Sequence, residues 1–186
     1  MDNLYSIGYG SRSIEEVLEL LKRYRIHTVV DVRSSPYSSF KPEFSRENLL
    51  AALQDHGISY SFLGDQLGGR PDDADCYTDE SSDKSTVDYV KVRESSAFKS
   101  GILRLLSIGN SEAPACVLCS EEKPEQCHRS TMIGMDLESR GISILHIDEL
   151  GDLQSQRKVI QRRTGGQERL FDEPLFKSKR KYQVKK

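Results

Sequence analysis

The sequence predicts an α/β fold: a single three-layer domain with a mostly parallel sheet of about five strands flanked by helices. Short apolar, β-branched segments alternate with helical patterns across the first 150 residues. The intervening stretches are long enough for helical crossovers, which implies parallel strands and a sheet covered on both faces. At 186 residues, with 36% hydrophobic and 30% charged side chains and a mean hydropathy of −0.58, the chain can bury one core and still carry polar sequence.

The elements follow in order. Leu4, Tyr5, Ser6 and Ile7 form a short strand that ends at Gly8. Ser13 then caps a helix, with Glu16 completing a capping box and Ile14, Val17, Leu18 and Leu21 in helical spacing. Residues 27–32 are the clearest strand, apolar and β-branched through the middle. A loop with Pro36 and Pro42 leads to a helix starting near Ser45, with Leu49, Leu50 and Leu53 on one face and Gly57 at its end. Residues 58–63 make a third strand.

From 64 to 86 the pattern gives way to Gly, Pro, Asp and Ser, and this reads as a long loop able to act as a lid. Helices are expected over 87–94 and 97–108, a fourth strand over 115–119, a helix from Cys127 or His128 to Gly141, and a fifth strand over 143–147. Beyond about Asp152 the apolar periodicity fades, and Gly165 and Gly166 break the helical pattern of 154–163. The expected division is therefore an α/β domain over 1–152 and a basic, flexible tail over 153–186.

Charge follows that division. Residues 154–186 hold 11 Lys and Arg against 3 Asp and Glu, a balance of +8. The rest holds 16 basic and 26 acidic groups, a balance of −10. An acidic body disfavours nucleic-acid binding through the main surface, whereas the tail attracts polyanions in a salt-sensitive way. No run approaches the roughly 18 apolar residues of a membrane span, so no membrane partner is expected. The opening Met1, Asp2, Asn3, Leu4, Tyr5 has no basic-then-apolar leader. A cytoplasmic location with four reduced cysteines is expected.

Ligands of open parallel sheets bind outside the carboxyl ends of the strands. The unusual residues of this chain lie there: Gly8, Tyr9 and Gly10 after the first strand, Asp31 and Arg33 at the second, Arg70 beyond the third, Cys119 at the fourth and His146 in the fifth. The densest cluster spans Cys119, Cys127, His128, Arg129 and Ser130. A cysteine opening a helix gains thiolate character from free N–H groups and nearby cations.

Three chemistries fit. Cys127 or Cys119 can act as a nucleophile, with His128 or a carboxylate such as Asp31 as its base. Cys119, Cys127 and His128 can hold a divalent transition metal, with His146 or water as the fourth ligand. The helix start with Arg33, Arg129, Ser130, Arg70 and Tyr9 can bind an anion, a small or nucleotide-like substrate. The competing reading has both cysteines as packing residues and Arg129 paired with Asp31. Asp31 and Arg33 share one side of the chain, while Cys116, an odd number of residues from Cys119, faces away into the core. Cys76 reads as incidental.

These motifs are familiar in combination. Ser6 to Ser13, Asp31 to Ser38, Leu67-Gly68-Gly69-Arg70, and Cys119-(x7)-Cys127-His128-Arg129-Ser130 resemble, in order over about residues 4 to 148, the uncharacterised family catalogued as domain of unknown function 488. The resemblance implies an α/β fold with these motifs as its shared site, and supplies no reaction. Asp-x-Arg after a strand and the Cys-to-Arg-Ser loop before a helix also bear a fainter likeness to rhodanese-type sulfurtransferases, though the loop is longer. Gln167, Glu168, Arg169, Leu170 and Phe171 resemble the Gln-x-x-Leu-Phe peptide that docks bacterial replication and repair proteins on the sliding clamp. That likeness implies an accessory role in DNA maintenance, with Gln167, Leu170 and Phe171 binding the clamp and the basic residues after Phe176 contacting DNA.

Overall fold

The computed structural model describes residues 4–79, 84–109, 113–165 and 176–184. β1 (Leu4–Gly8) is followed by α1 (Ile14–Arg23), where Ser13 and Glu16 complete the expected capping box and Val17, Leu18, Leu20 and Leu21 are buried. β2 (Thr28–Asp31), α2 (Arg46–Asp55) and β3 (Ser59–Phe62) come next.

The described parts of the segment expected as a lid, 64–79 and 84–86, are built into the fold instead. They contain α3 (Gly64–Leu67), a 3-10 turn over Ala74–Cys76 and the start of β4 (Lys84–Asp88), and they bury Leu67, Cys76 and Tyr77 in the core. Asp88 ends β4 and caps α4 (Tyr89–Glu94) by accepting from the Val90 and Lys91 amides. α5 (Ser96–Gly109) leads to β5 (Ala115–Cys119). After the loop, a π-helical turn over Arg129–Gly134 runs into α6 (Met135–Ser139) and then β6 (Leu145–Ile147).

The stretch expected as a basic tail also contributes regular elements. These are β7 (Leu153–Ser155), α7 (Gln156–Thr164), capped by Ser155 and ended by a left-handed Gly165, and β8 (Lys177–Gln183). β8, of sequence Lys-Ser-Lys-Arg-Lys-Tyr-Gln, has no apolar alternation to reveal it. Backbone pairing with β4 holds it, aided by the Ser178 hydroxyl, which accepts from the Val87 amide at 2.9 Å. The clamp-like peptide at 167–171 lies outside the described residues.

The sheet order is β3-β2-β5-β1-β6-β7, parallel throughout except for the antiparallel edge strand β7. That is one strand more than expected. β4 and β8 form a separate antiparallel pair. One core cluster joins α1 and α2 to a face of the sheet through Ile7, Val29, Cys116 and Leu118. The other joins α4, α5 and α6 to the opposite face through Val30, Val117 and Cys119. β1 and β5 are neighbours, yet the helices that follow them lie on opposite faces. Such a reversal opens a crevice beyond the strand ends, where open α/β sheets bind ligands. Among the described residues, no helix is long and apolar enough to cross a membrane.

Candidate active site

Gly8 of β1 and Cys119 of β5 are register partners at the crevice. The pairing continues past the strand ends, with the Tyr9 amide donating to the Cys119 carbonyl at 3.1 Å and the Gly10 amide to the Ser120 carbonyl at 3.0 Å. Arg129, fully buried in the π turn, donates to the carbonyls of Glu121 (2.5 Å) and Glu122 (2.7 Å). Ser130 donates to the Pro124 carbonyl at 2.5 Å. These bonds fold the loop back, so that two cysteines eight positions apart meet. Gly8 is required by the same closure: a Cβ there would sit 1.8 Å from the Glu121 carbonyl oxygen.

Cys119 Sγ, Cys127 Sγ and a ring nitrogen of His128 lie within 4.8 Å of one another, all buried. His128 Nδ1 is 3.8 Å from Cys119 Sγ and 3.7 Å from Cys127 Sγ, while Nε2 lies 3.2 Å from the Val32 carbonyl. A carbonyl only accepts, so Nε2 carries hydrogen and Nδ1 is the ring nitrogen that faces the sulfurs. A hydrogen bond from the Cys127 thiol, assisted by the charges of His128 and Arg129, holds the Cys119 thiol well below its usual range. Burial and the neighbouring Cys119 sulfur push Cys127 well above it. The two sulfurs titrate as a pair, with Cys119 the more acidic of the two.

This trio lines a cavity of about 250 Å³. Tyr9, Arg33 and Arg70 line it, as do Lys179, Arg180 and Tyr182 of β8. Arg70 stacks over the Tyr182 ring with its guanidinium carbon 5.5 Å from the centroid, and its amide donates to Ser34 Oγ at 2.9 Å. The chain at Gly69 runs so close that a Cβ would sit 3.0 Å from the His128 ring. Glycine there lets the backbone cover the imidazole.

The other expected site residues take different places. Asp31 is fully buried and does not line the cavity. Its oxygens accept from Arg33 Nε (2.9 Å), Arg33 Nη2 (2.6 Å) and the Tyr60 hydroxyl (2.9 Å). It therefore sets the orientation of Arg33, whose Nη1 also donates to the Phe44 carbonyl at 2.8 Å. Arg129 and Ser130 are fully buried loop anchors. Arg129 binds carbonyls and does not pair with Asp31.

His146, a candidate fourth metal ligand, belongs to a separate network. Its Nδ1 is 2.6 Å from Ser6 Oγ and its Nε2 2.7 Å from Gln156 Oε1. Its pKa is lowered to about 3 by burial and then by the charge of Arg129. Cys116 faces the other side of the sheet, as alternation requires, and Cys76 is buried with its thiol pushed up to about 11 by burial and nearby Asp73. Lys179, Arg180 and Tyr182 also line the cavity, and no motif marks them; Tyr37, which lines it too, falls within the Asp31 to Ser38 motif. Only the basic composition of the last segment points toward the first two.

A family model described as "Domain of unknown function DUF488" matches residues 13–135. The matched stretch carries Asp31, Arg33, Arg70 and the whole span from Cys119 to Ser130. No curated protein and no solved structure matches the chain.

Proposed function

The chain belongs to the DUF488 family, and from that premise we propose that it is an enzyme that attacks a small or nucleotide-like anionic substrate with a cysteine thiolate. The observation that carries this reading is the meeting of Cys119, Cys127 and His128 within 4.8 Å at a cavity that cationic side chains also line. The wall cations hold the anion. Cys119 Sγ bonds to the electrophilic centre, and the bond to the leaving group breaks. The departing group keeps the electron pair and takes the proton from His128 Nδ1. Water, giving a proton back to Nδ1, then displaces the sulfur and restores the thiolate.

Alkylation of the native protein tests this. Cys119 is expected to react much faster than Cys76, Cys116 and Cys127, and Cys119→Ser abolishes the fast phase without unfolding the protein. Equal, slow labelling of all four thiols rejects the reading.

A second reading rests on the donor set itself. Two thiolates and an imidazole, with the other ring nitrogen held by a backbone carbonyl, fit a thiophilic divalent ion such as zinc. The three residues would hold the ion, which would supply Lewis-acid activation of a substrate facing the cavity. Elemental analysis of protein purified without chelator decides between the readings. A stoichiometric metal that vanishes in Cys127→Ser supports the metal centre, and its absence under anaerobic conditions removes it.

A further inference from the structure

The basic segment does not stay apart from the acidic body. β8 brings Lys179 and Arg180 to the cavity that Arg33 and Arg70 also line. Part of the +8 balance of residues 154–186 is thereby concentrated at one spot on an otherwise acidic molecule. Two wall charges have carboxylate neighbours: Arg33 is paired with Asp31, and Arg180 Nη1 is 3.7 Å from Glu121 Oε1, which also faces the cavity. Arg70 and Lys179 add to the positive side.

The loop that follows Arg33 carries a second feature. Tyr37, which lines the cavity, is 73% exposed, and Phe40, three residues on, is 97% exposed. The loop that holds them is pinned: Lys41 Nζ donates to the carbonyls of Ser11 (2.8 Å) and Arg12 (2.7 Å), and the Ser38 amide donates to Ser45 Oγ (3.2 Å). Tyr37 at the cavity and Phe40 three residues beyond it, both held out on an ordered backbone, offer faces on which bases can stack.

We propose that the substrate of this site is a single-stranded nucleic acid, with a phosphate in the cavity among Arg33, Arg70, Lys179 and Arg180 and neighbouring bases stacked on Tyr37 and Phe40. It rests on the reading of the cavity as an anion-substrate site. The strand must be single, because a duplex hides its base faces from the two aromatic rings. The acidic remainder of the surface repels the rest of the polyanion and confines it to this groove.

Fluorescence anisotropy of the full chain with a short labelled thymidine oligonucleotide tests this, with the matching duplex and heparin as comparisons. The single strand is expected to bind in preference to the duplex, with a log–log salt slope of about −0.7 per phosphate contact. The Lys179→Ala/Arg180→Ala pair, removing two such contacts, should flatten that slope by about 1.4. The Tyr37→Ala/Phe40→Ala pair should weaken binding on the order of tenfold at unchanged slope. Bound oligonucleotide should slow alkylation of Cys119. All four substitutions are at exposed positions, so the fold is retained. The proposal is overturned by a lack of binding, by equal affinity for heparin with no effect of the aromatic pair, or by binding that leaves Cys119 unprotected. The labelling rate of Cys119 without oligonucleotide separates the two readings: fast labelling without binding sinks this proposal alone, and slow labelling with binding sinks the thiolate enzyme alone.

Discussion

The carbonyl of Val32 lies 3.2 Å from Nε2 of His128, joining the end of one strand to the start of a helix 96 residues later. The contact turns the ring so that Nδ1 faces both sulfurs. The imidazole is thus oriented by backbone that the sheet holds rigid, independently of any ligand.

Replacing that ring tests its part in ionising Cys119. In His128→Asn the thiolate loses a hydrogen-bonding and charged neighbour that lowers its pKa. The midpoint of the pH profile of Cys119 alkylation should rise. The rate near pH 7 should then fall on the order of tenfold for every pH unit by which the midpoint climbs. An unmoved profile would leave Cys127 and Arg129 as the only groups acting on the thiolate.

Arg129→Met removes the donors to two loop carbonyls while keeping much of the side-chain volume. Glu121 and Glu122 then present carbonyls without their partner, at a cost of about 2–4 kcal/mol in urea unfolding. Cys119 alkylation should slow as well, since the guanidinium also lowers that thiol. Unchanged stability would show that Ser130 and the turn over Pro124–Gln126 close the loop unaided.

The cysteine cluster was legible in sequence because its cause is local. A strand end and a helix start eight residues apart can meet only by a fold-back loop, and Arg129 and Ser130 are polar enough to build one. The placing of Arg33 beside Asp31 was legible for a similar reason, since strand alternation sets both on one side. Arg129 was harder, because its carbonyl partners depend on the path of the loop. β8 was not legible at all. Its side chains are mostly basic and exposed, and the strand exists through pairing with β4, about a hundred residues earlier. The 64–86 stretch reads as an open loop because single helical turns are too short to show a period.

Docking on the sliding clamp through Gln167, Leu170 and Phe171 remains a proposal carried by sequence alone. In the sequence the peptide falls between α7 and β8. A pull-down with the clamp should succeed with the full chain and lose most of its signal in Leu170→Ala and in Phe171→Ala. Undiminished capture by both variants would end the idea.

His146 should make the protein acid-labile in a window of its own. The Gln156 amide nitrogen donates to the Ser130 carbonyl at 3.0 Å, so its oxygen faces His146 and accepts from Nε2–H. Nδ1 then accepts from the Ser6 hydroxyl, and the ring is buried neutral. In the unfolded chain it takes a proton near 6.5, and in the folded protein only near 3. Between those values the unfolded state binds the extra proton, so stability falls as pH falls, by up to about 1.4 kcal/mol per pH unit. Asp148, whose carboxylate accepts from the Leu150 and Asp152 amides, loses its contribution only below its ordinary value of 3.8. Urea unfolding between pH 4 and 6.5, in a Cys119→Ser background to silence the thiolate, isolates the histidine. His146→Gln should flatten the slope there, while Ser6→Ala, which keeps the buried ring, should retain most of it. An equal slope in both variants would mean that His146 picks up its proton without opening the fold.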